Sequence, residues 1–290
     1  MPLLTTKRKI ALLRLAQWPM LKFRQAFGRG SEAKVTRGAL RWHLDLEEGI
    51  DCAIFIFGAF ERGTQTACRR FIEPGAVVLD IGANIGAHAL PLAVQVGPGG
   101  KVFAFEPTAW AYGKLRRNIA LNAGLADRVV AEQVMLVESE EASLPEGIMA
   151  SWPIAPARED IHPLARGRHV STEGASTTSL DAYLAKKEIT RVDFIKLDVD
   201  GYECAVLSGA TKMLRELRPA IVMELAPYVL EDKGETLGRL LAILGAVGYG
   251  LVDERHGQAL PMEEKWLQAW VPPGSSRNVF ALPEECIEAV

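Results

Sequence analysis

The stretch Val77-Val78-Leu79-Asp80-Ile81-Gly82-Ala83-Asn84-Ile85-Gly86 decides how this chain is read. Its first half is a short apolar run of the kind that forms a buried strand. Ala87–Val96 beyond it is helical in pattern and closed by Gly97-Pro98-Gly99-Gly100. Between the two, glycines at 82 and 86 let the backbone turn tightly and approach a ligand, while the next helix offers free N–H groups.

The same rhythm runs outward. Lys101–Phe105 reads as the next strand, ending in Glu106-Pro107. Residues 108–121 read as a helix stopped by Asn122 and Gly124, and Val129–Val137 as a third strand. A helix over Leu180–Lys187, a strand at Val192–Val199, a helix from Tyr202 to Leu217, a strand at Ala220–Leu225 and a helix over Leu237–Leu244 follow. Val247–Asp253 and Asn278–Leu282 suit a closing antiparallel hairpin. This alternation predicts an α/β fold: a doubly wound, mostly parallel, seven-stranded Rossmann-like sheet with helices on both faces. Ligands then belong beyond the carboxyl ends of the strands.

Upstream, Leu40, Trp42, Leu44 and Leu46 alternate with polar neighbours, and the apolar run Cys52–Phe57 precedes Gly58. Together they read as an antiparallel β-elaboration. Residues 8–27 read as a basic amphipathic helix. The expected organisation is an N-terminal helix and β-elaboration over 1–60 and a main domain over 61–290. Residues 138–175, with Pro145, Pro153, Pro156 and Pro163, read as an insertion loop inside that domain.

The 290 residues are 49% hydrophobic and 24% charged, enough for one sizeable core, and a net charge of −3 gives no reason to expect nucleic acid. Residues 1–30 hold seven Lys and Arg and no acid, a local +7 that leaves −10 on the rest. Such a segment either packs on the domain's flank with a solvated basic face or makes peripheral contact with an anionic membrane. No apolar run reaches the roughly 18–20 residues of a membrane span. Cys52, Cys68, Cys204 and Cys286 show no Cys-x-x-Cys pair, so neither a disulfide framework nor a zinc site is expected. The expected location is cytoplasmic, with a membrane-peripheral variant; the oligomeric state is not legible.

Two carboxylates flank the bend. Glu106 ends the second core strand, where it can accept hydrogen bonds from ribose hydroxyls, and Asp80 immediately precedes Gly82. A negative charge at Asp80 suits an ammonium and a sulfonium better than a pyrophosphate. A purely structural cap is the plainer reading. The run Asp193-Phe194-Ile195-Lys196-Leu197-Asp198-Val199-Asp200-Gly201-Tyr202-Glu203 puts Lys196 inside a strand that should be apolar. It needs a partner, either Asp198 or Glu224 on the neighbouring strand. Asp198, at the strand's end, can take a proton from an attacking hydroxyl, position a ligand, or serve only in an ion pair. A divalent cation among Asp198, Asp200 and Glu224 is a minority alternative, and a metal requirement stays open. His88 opens the helix after the bend and faces a cofactor or solvent; Glu224 and His88 are the candidate substrate-side residues. His162 and His169 fall in the insertion loop.

Taken together these segments resemble the FkbM family of methyltransferases. The resemblance rests on residues 79–86, Phe105-Glu106-Pro107, Asn118 with Asn122, Ser179-Leu180-Asp181, residues 195–203, and Arg218-Pro219 followed by Glu224-Leu225. It covers roughly residues 55–226, with Asp200 where the family more often has Glu. It implies a class I methyltransferase fold, S-adenosyl-L-methionine as cofactor, and O-methylation of a sugar, glycan or secondary metabolite. Residue reading and resemblance together assign Asp80, Gly82, Asn84, Gly86 and Glu106 to the cofactor and Asp198 with Lys196 to catalysis, and the resemblance of Gly58-Ala59-Phe60-Glu61 to the segment before the family's first core strand adds Glu61 on the cofactor side. The rivals are a nicotinamide-dependent oxidoreductase, which the missing third glycine of Gly-x-Gly-x-x-Gly disfavours, and a cofactor-binding module without turnover.

Overall fold

The computed structural model describes residues 6–154 and 167–287. The chain opens with helix α1 (Thr6–Ala26), a hairpin of β1 (Glu32–Arg37) and β2 (Leu40–Asp45), and helices α2 (Gly49–Phe57) and α3 (Arg62–Cys68). The core follows as β3 (Val77–Ile81), α4 (Ala89–Gln95), β4 (Lys101–Phe105), α5 (Ala109–Leu121), α6 (Ala123–Ala126) and β5 (Val129–Glu132). Short strands come next: β6 (Val134–Leu136), β7 (Gly147–Ser151), β8 (Arg168–Ser171) and β9 (Ser176–Thr178). Then α7 (Leu180–Lys186), β10 (Phe194–Leu197), α8 (Glu203–Ser208), α9 (Thr211–Leu217), β11 (Ala220–Leu225) and α10 (Pro227–Asp232). The last elements are α11 (Leu237–Ala246), β12 (Tyr249–Asp253), β13 (Ala259–Leu260), α12 (Glu264–Trp270), β14 (Arg277–Pro283) and α13 (Glu284–Ile287).

The main sheet runs β13-β12-β14-β11-β10-β3-β4-β5. β10 pairs in parallel with both β3 and β11, β4 with both β3 and β5, and β14 is antiparallel to β11 and β12. It is a mixed sheet of eight strands where seven were expected. The extra strand is the two-residue edge piece β13.

Strand alternation sends successive side chains to opposite faces, and both faces are buried. Leu79, Ile81, Ile195, Leu197, Ile221 and Met223 pack with residues of α7, α8, α9 and α11. Val78, Val102, Ala104, Phe194 and Val222 pack with α3, α4 and α5. A core sandwiched in this way holds the strand ends rigidly, and functional residues on those ends inherit that precision.

Several sequence expectations are corrected. Cys52–Phe57 is the helix α2, so the antiparallel elaboration is the β1–β2 hairpin alone. An all-apolar run carries no period to separate strand from helix, and Gly58 acts as a left-handed cap at φ 82° whose N–H bonds Ile54 O. Val129–Val137 splits: β5 joins the main sheet, whereas β6 turns away to pair in parallel with β9. The insertion 138–175 is not a plain loop, because β7 and β8 form an antiparallel hairpin within it. His162, Pro156 and Pro163 lie outside the described residues. The helix expected over 202–217 divides into α8 and α9.

Helix α5 clamps the N-terminal hairpin. Asn118 Oδ1 accepts from His43 N at 2.8 Å while its Nδ2 donates to Ile85 O at 3.0 Å; Asn122 bonds both the N–H and the carbonyl of Arg41. Helix α2 is tied to the same element by a buried ion pair, Asp51 Oδ1 to Lys114 Nζ at 2.7 Å, with Trp110 beneath the ammonium.

Candidate active site

A cleft of about 750 Å³, its open mouth included, lies beyond the carboxyl ends of β3, β4 and β10. Its floor is the glycine bend. Gly82 has φ 84°, and a Cβ there would sit 1.8 Å from the carbonyl oxygen of Asp198. Only glycine lets the bend lie against the end of β10, so the two halves of the site are in backbone contact. Gly86, φ 90°, faces Leu115 in the same sense: a Cβ would come 2.9 Å from Leu115 Cδ1. That glycine seats α5; it does not line the cleft.

Glu106 lies in the wall, 3% exposed. Its Oε2 accepts from Asn84 N at 3.0 Å, and its Oε1 from the N–H and hydroxyl of Thr108 at 2.9 and 2.6 Å. Burial raises its carboxyl above the ordinary range, and the Thr108 and Asn84 bonds oppose that. A carboxylate offers about four acceptor positions, so capacity is left for a ligand's hydroxyls. Asn84 takes a left-handed φ of 48°, its Oδ1 accepting from Ile85 N and its Nδ2 donating to Ala150 O at 2.8 Å. That last bond docks β7 onto the bend.

Lys196 and Asp198 share a face of β10, two residues apart, and Lys196 Nζ donates to Asp198 Oδ2 at 2.9 Å. Of the two partners considered from sequence, the structure selects Asp198: register sets Val222, not Glu224, across from Lys196. Burial works against the ammonium, but Asp198 and Asp80 overcome it and raise its pKa. Both residues line the cleft, as do Asp200 and Tyr202. Burial, followed by the negative charges of Asp198, Glu224 and Glu203, lifts the Asp200 carboxyl well above its usual range.

Asp80 stands behind the wall and does not line the cleft. It is fully buried and lies opposite Lys196 in the β3–β10 register, with the Ala89 backbone N–H at the start of α4 facing its carboxylate. Burial raises its carboxyl, with Lys196 and His88 pulling it back. His88 stands at the N-terminus of α4 without a capping bond, lines the cleft, and places its Nε2 3.4 Å from Glu61 Oε2. Glu61 and Glu224 lie in a neighbouring cleft, Glu224 accepting from the Ser276 hydroxyl. The cleft thus gathers Gly82, Asn84, His88, Glu106, Lys196 and Asp198, and leaves Asp80, Gly86, Glu61 and Glu224 outside its lining. Among the described residues, no group of three His, Cys, Asp or Glu side chains is arranged to hold a metal ion.

The remaining wall was not legible in the sequence. Met135 of β6 and Ile148, Met149, Ala150 and Trp152 in and after β7 complete the cleft's lining. Buried Glu48 fixes that wall: its carboxylate accepts from Ser151 Oγ at 2.9 and 3.1 Å and from Trp152 N at 3.0 Å. Glu48, the acid just before α2, is the one residue of this arrangement whose charge stands out in the sequence.

A model of the methyltransferase FkbM domain matches residues 80–251. Hexuronic acid methyltransferase AglP of Haloferax volcanii is 31% identical over 168 residues, covering 56% of this chain and 62% of AglP. The 31-O-demethyl-FK506 methyltransferase FkbM of Streptomyces tacrolimicus is 27% identical over 211 residues, covering 63% of this chain and 76% of its own. A crystal structure of methyltransferase FkbM from Methylobacillus flagellatus is 17% identical, with a TM-score of 0.40 over 72% of this chain and 43% of that one.

Proposed function

The chain belongs to the FkbM family of S-adenosylmethionine-dependent methyltransferases, and from that premise we propose that it methylates a hydroxyl on a sugar, glycan or secondary metabolite. The single observation that carries the reading is the Lys196–Asp198 pair at the cleft's inner end, on the backbone that touches the glycine bend. Two relatives point to such acceptors: AglP is named for a hexuronic acid, FkbM for 31-O-demethyl-FK506.

The cleft fits the cofactor by its donor set: Glu106 keeps spare acceptor capacity for ribose hydroxyls, and the bend lies open to a ligand. Glu106, Gly82 and Asn84 would hold it, and when bound it supplies a methyl group made electrophilic by a sulfonium. Asp198 accepts the proton of the attacking hydroxyl, and Lys196 orients that carboxylate through the bond from its Nζ. Asp80 acts at one remove, through Lys196 and His88. Glu61 reaches the site through His88. The strand order β5-β4-β3-β10-β11-β14-β12, with β14 reversed, supports the seven-stranded class I arrangement with β13 as an addition. We assign the transferase to residues 61–290 and an accessory role to 1–60.

Asp198→Asn tests the assignment. General-base contributions run to about 10²–10⁴-fold, so turnover should fall by at least about 10²-fold while cofactor affinity by calorimetry stays within a few-fold. Unchanged turnover would remove Asp198 from the chemistry.

Peripheral membrane contact is a second proposal, supported by α1. Leu15, Trp18, Phe23 and Phe27 are each more than 60% exposed beside a segment without an acid. No helix among the described residues is long and apolar enough to cross a membrane. Four free cysteines, three of them buried, support a reducing, cytoplasmic location.

A further inference from the structure

Among the described residues, the charged side chains lining the cleft are the carboxylates of Glu106, Asp198 and Asp200 and the ammonium of Lys196, with the imidazole of His88 beside them. Two of the carboxylates are answered within the protein. Glu106 accepts its bonds from Asn84 N and from the N–H and hydroxyl of Thr108, and Asp198 accepts from Lys196 Nζ. Asp200 is not answered. No described residue hydrogen-bonds to its carboxylate or forms an ion pair with it.

The chain builds Asp200 into that position. It stands in the turn between β10 and α8 at a left-handed φ of 49°, a conformation that Asp and Asn tolerate better than other non-glycine residues. Glu203 at the start of α8 fastens the turn, its Oε1 accepting from Val199 N at 3.3 Å and from Gly201 N at 3.4 Å. The charges around Asp200 are mostly of its own sign. Asp198 on β10, Glu224 on β11 and Glu203 on α8 act against it, and Lys196, which acts for it, is already bonded to Asp198. Lys233 of α10 passes over the turn but sets its ammonium over the Tyr202 ring, 4.9 Å from the centroid. Like charges at close quarters favour a bound proton, and the Asp200 carboxyl is raised accordingly; a cation entering the cleft takes that proton's place.

We propose that Asp200 answers the sulfonium of S-adenosylmethionine, and so makes the cleft prefer the charged donor to its neutral product, S-adenosylhomocysteine. The inference rests on the methyltransferase reading and adds to it a residue that sets which form of the cofactor stays bound. In that reading Asp198, two residues away, meets the attacking hydroxyl, so the sulfur belongs at the same end of the cleft as Asp200. Donor and product differ there by one methyl group and one unit of charge. Beside a partly buried carboxylate that charge is felt far more strongly than in bulk water. Methyl transfer removes it, and the product loses its hold as it forms.

The test is calorimetric titration of the full chain with S-adenosylmethionine, S-adenosylhomocysteine and sinefungin, which carries an ammonium where the donor has its sulfonium. The two cationic ligands should bind at least about tenfold tighter than S-adenosylhomocysteine. Asp200→Asn removes the charge while keeping the side chain's shape and its tolerance of the left-handed turn. It should bring the three ligands within about twofold of one another and leave S-adenosylhomocysteine within about threefold of its parent affinity. Equal affinities in the parent, or a preference that survives Asp200→Asn, overturns the proposal. So does an equal loss of all three ligands, which would assign Asp200 to the amino-acid end they share. A parent protein that binds none of the three overturns the donor reading itself, and this inference with it.

Discussion

Gly82 is the residue on which the site's construction turns. Gly82→Ala forces a Cβ into the Asp198 carbonyl at a positive φ. The strain and clash should cost more than the roughly 1–3 kcal/mol of a strained backbone position alone, read as a lower melting temperature with cofactor affinity lost in parallel. Glu203 offers a pH test. Burial, ahead of all other influences, raises its carboxyl from 4.5 to about 7, against its own backbone bonds from Val199 and Gly201. Between those values the folded protein keeps a proton that the unfolded chain has lost, so the stabilising contribution is full below pH 4.5 and disappears as pH rises through about 7. Glu203→Gln should flatten that decline and leave the protein a few kcal/mol more stable at pH 8, at about 1.4 kcal/mol per unit, measured by denaturant unfolding at pH 5 and 8. Glu106 and Asp198 stood out in the sequence as charges closing apolar strands, and Lys196 as a charge inside one. Asp80 carries the same signature, yet its side chain points behind the cleft. The fate of Glu61 and Glu224 depended on which cleft their loops face. Neither distinction is written in spacing.

At the scale of elements, the β7–β8 hairpin is the part of the site that pattern reading missed. Its strands lie in a stretch rich in proline and small residues, and its pairing is held by contacts from Glu48, about a hundred residues upstream. Ser151→Ala removes one of those contacts. A hydrogen bond to a charged group contributes about 1.5–3 kcal/mol, so the hairpin should loosen locally, with faster amide exchange over residues 147–152 and a cofactor affinity about tenfold weaker. Unchanged exchange there would detach Glu48 from the site. The regular βα units were legible almost to the residue, Lys101–Phe105 and Ala220–Leu225 among them, because buried parallel strands and capped helices carry strong local signals. Helix α2 was not, its apolar run lacking any period. Several motif residues prove to be joinery: Ser179 caps α7, Asp181 accepts from Lys212 N and Met213 N at the start of α9, and Asn118 and Asn122 hold the hairpin.

For the whole molecule, a ligand that binds only the folded chain adds stability by mass action. S-adenosylmethionine at a hundred times its dissociation constant should raise the unfolding free energy by about 2.7 kcal/mol, seen as a shifted urea midpoint, and NADH should produce no such shift. Trp18→Ala with Phe23→Ala and Phe27→Ala should abolish co-sedimentation with phosphatidylglycerol vesicles while sparing cofactor affinity; identical pelleting of parent and variant would remove the membrane from consideration. The Asp51–Lys114 pair bears on how the chain is divided. Lys114 belongs to the catalytic half, yet its counter-ion comes from residue 51, ahead of the boundary at 61. A chain begun at that boundary would lose the counter-ion of Lys114 together with the hairpin and helix packed on α5. The front sixty residues are thus joined to the rest of the chain by charge as well as by packing, and a shortened chain begun at residue 61 should melt at a lower temperature than the full one.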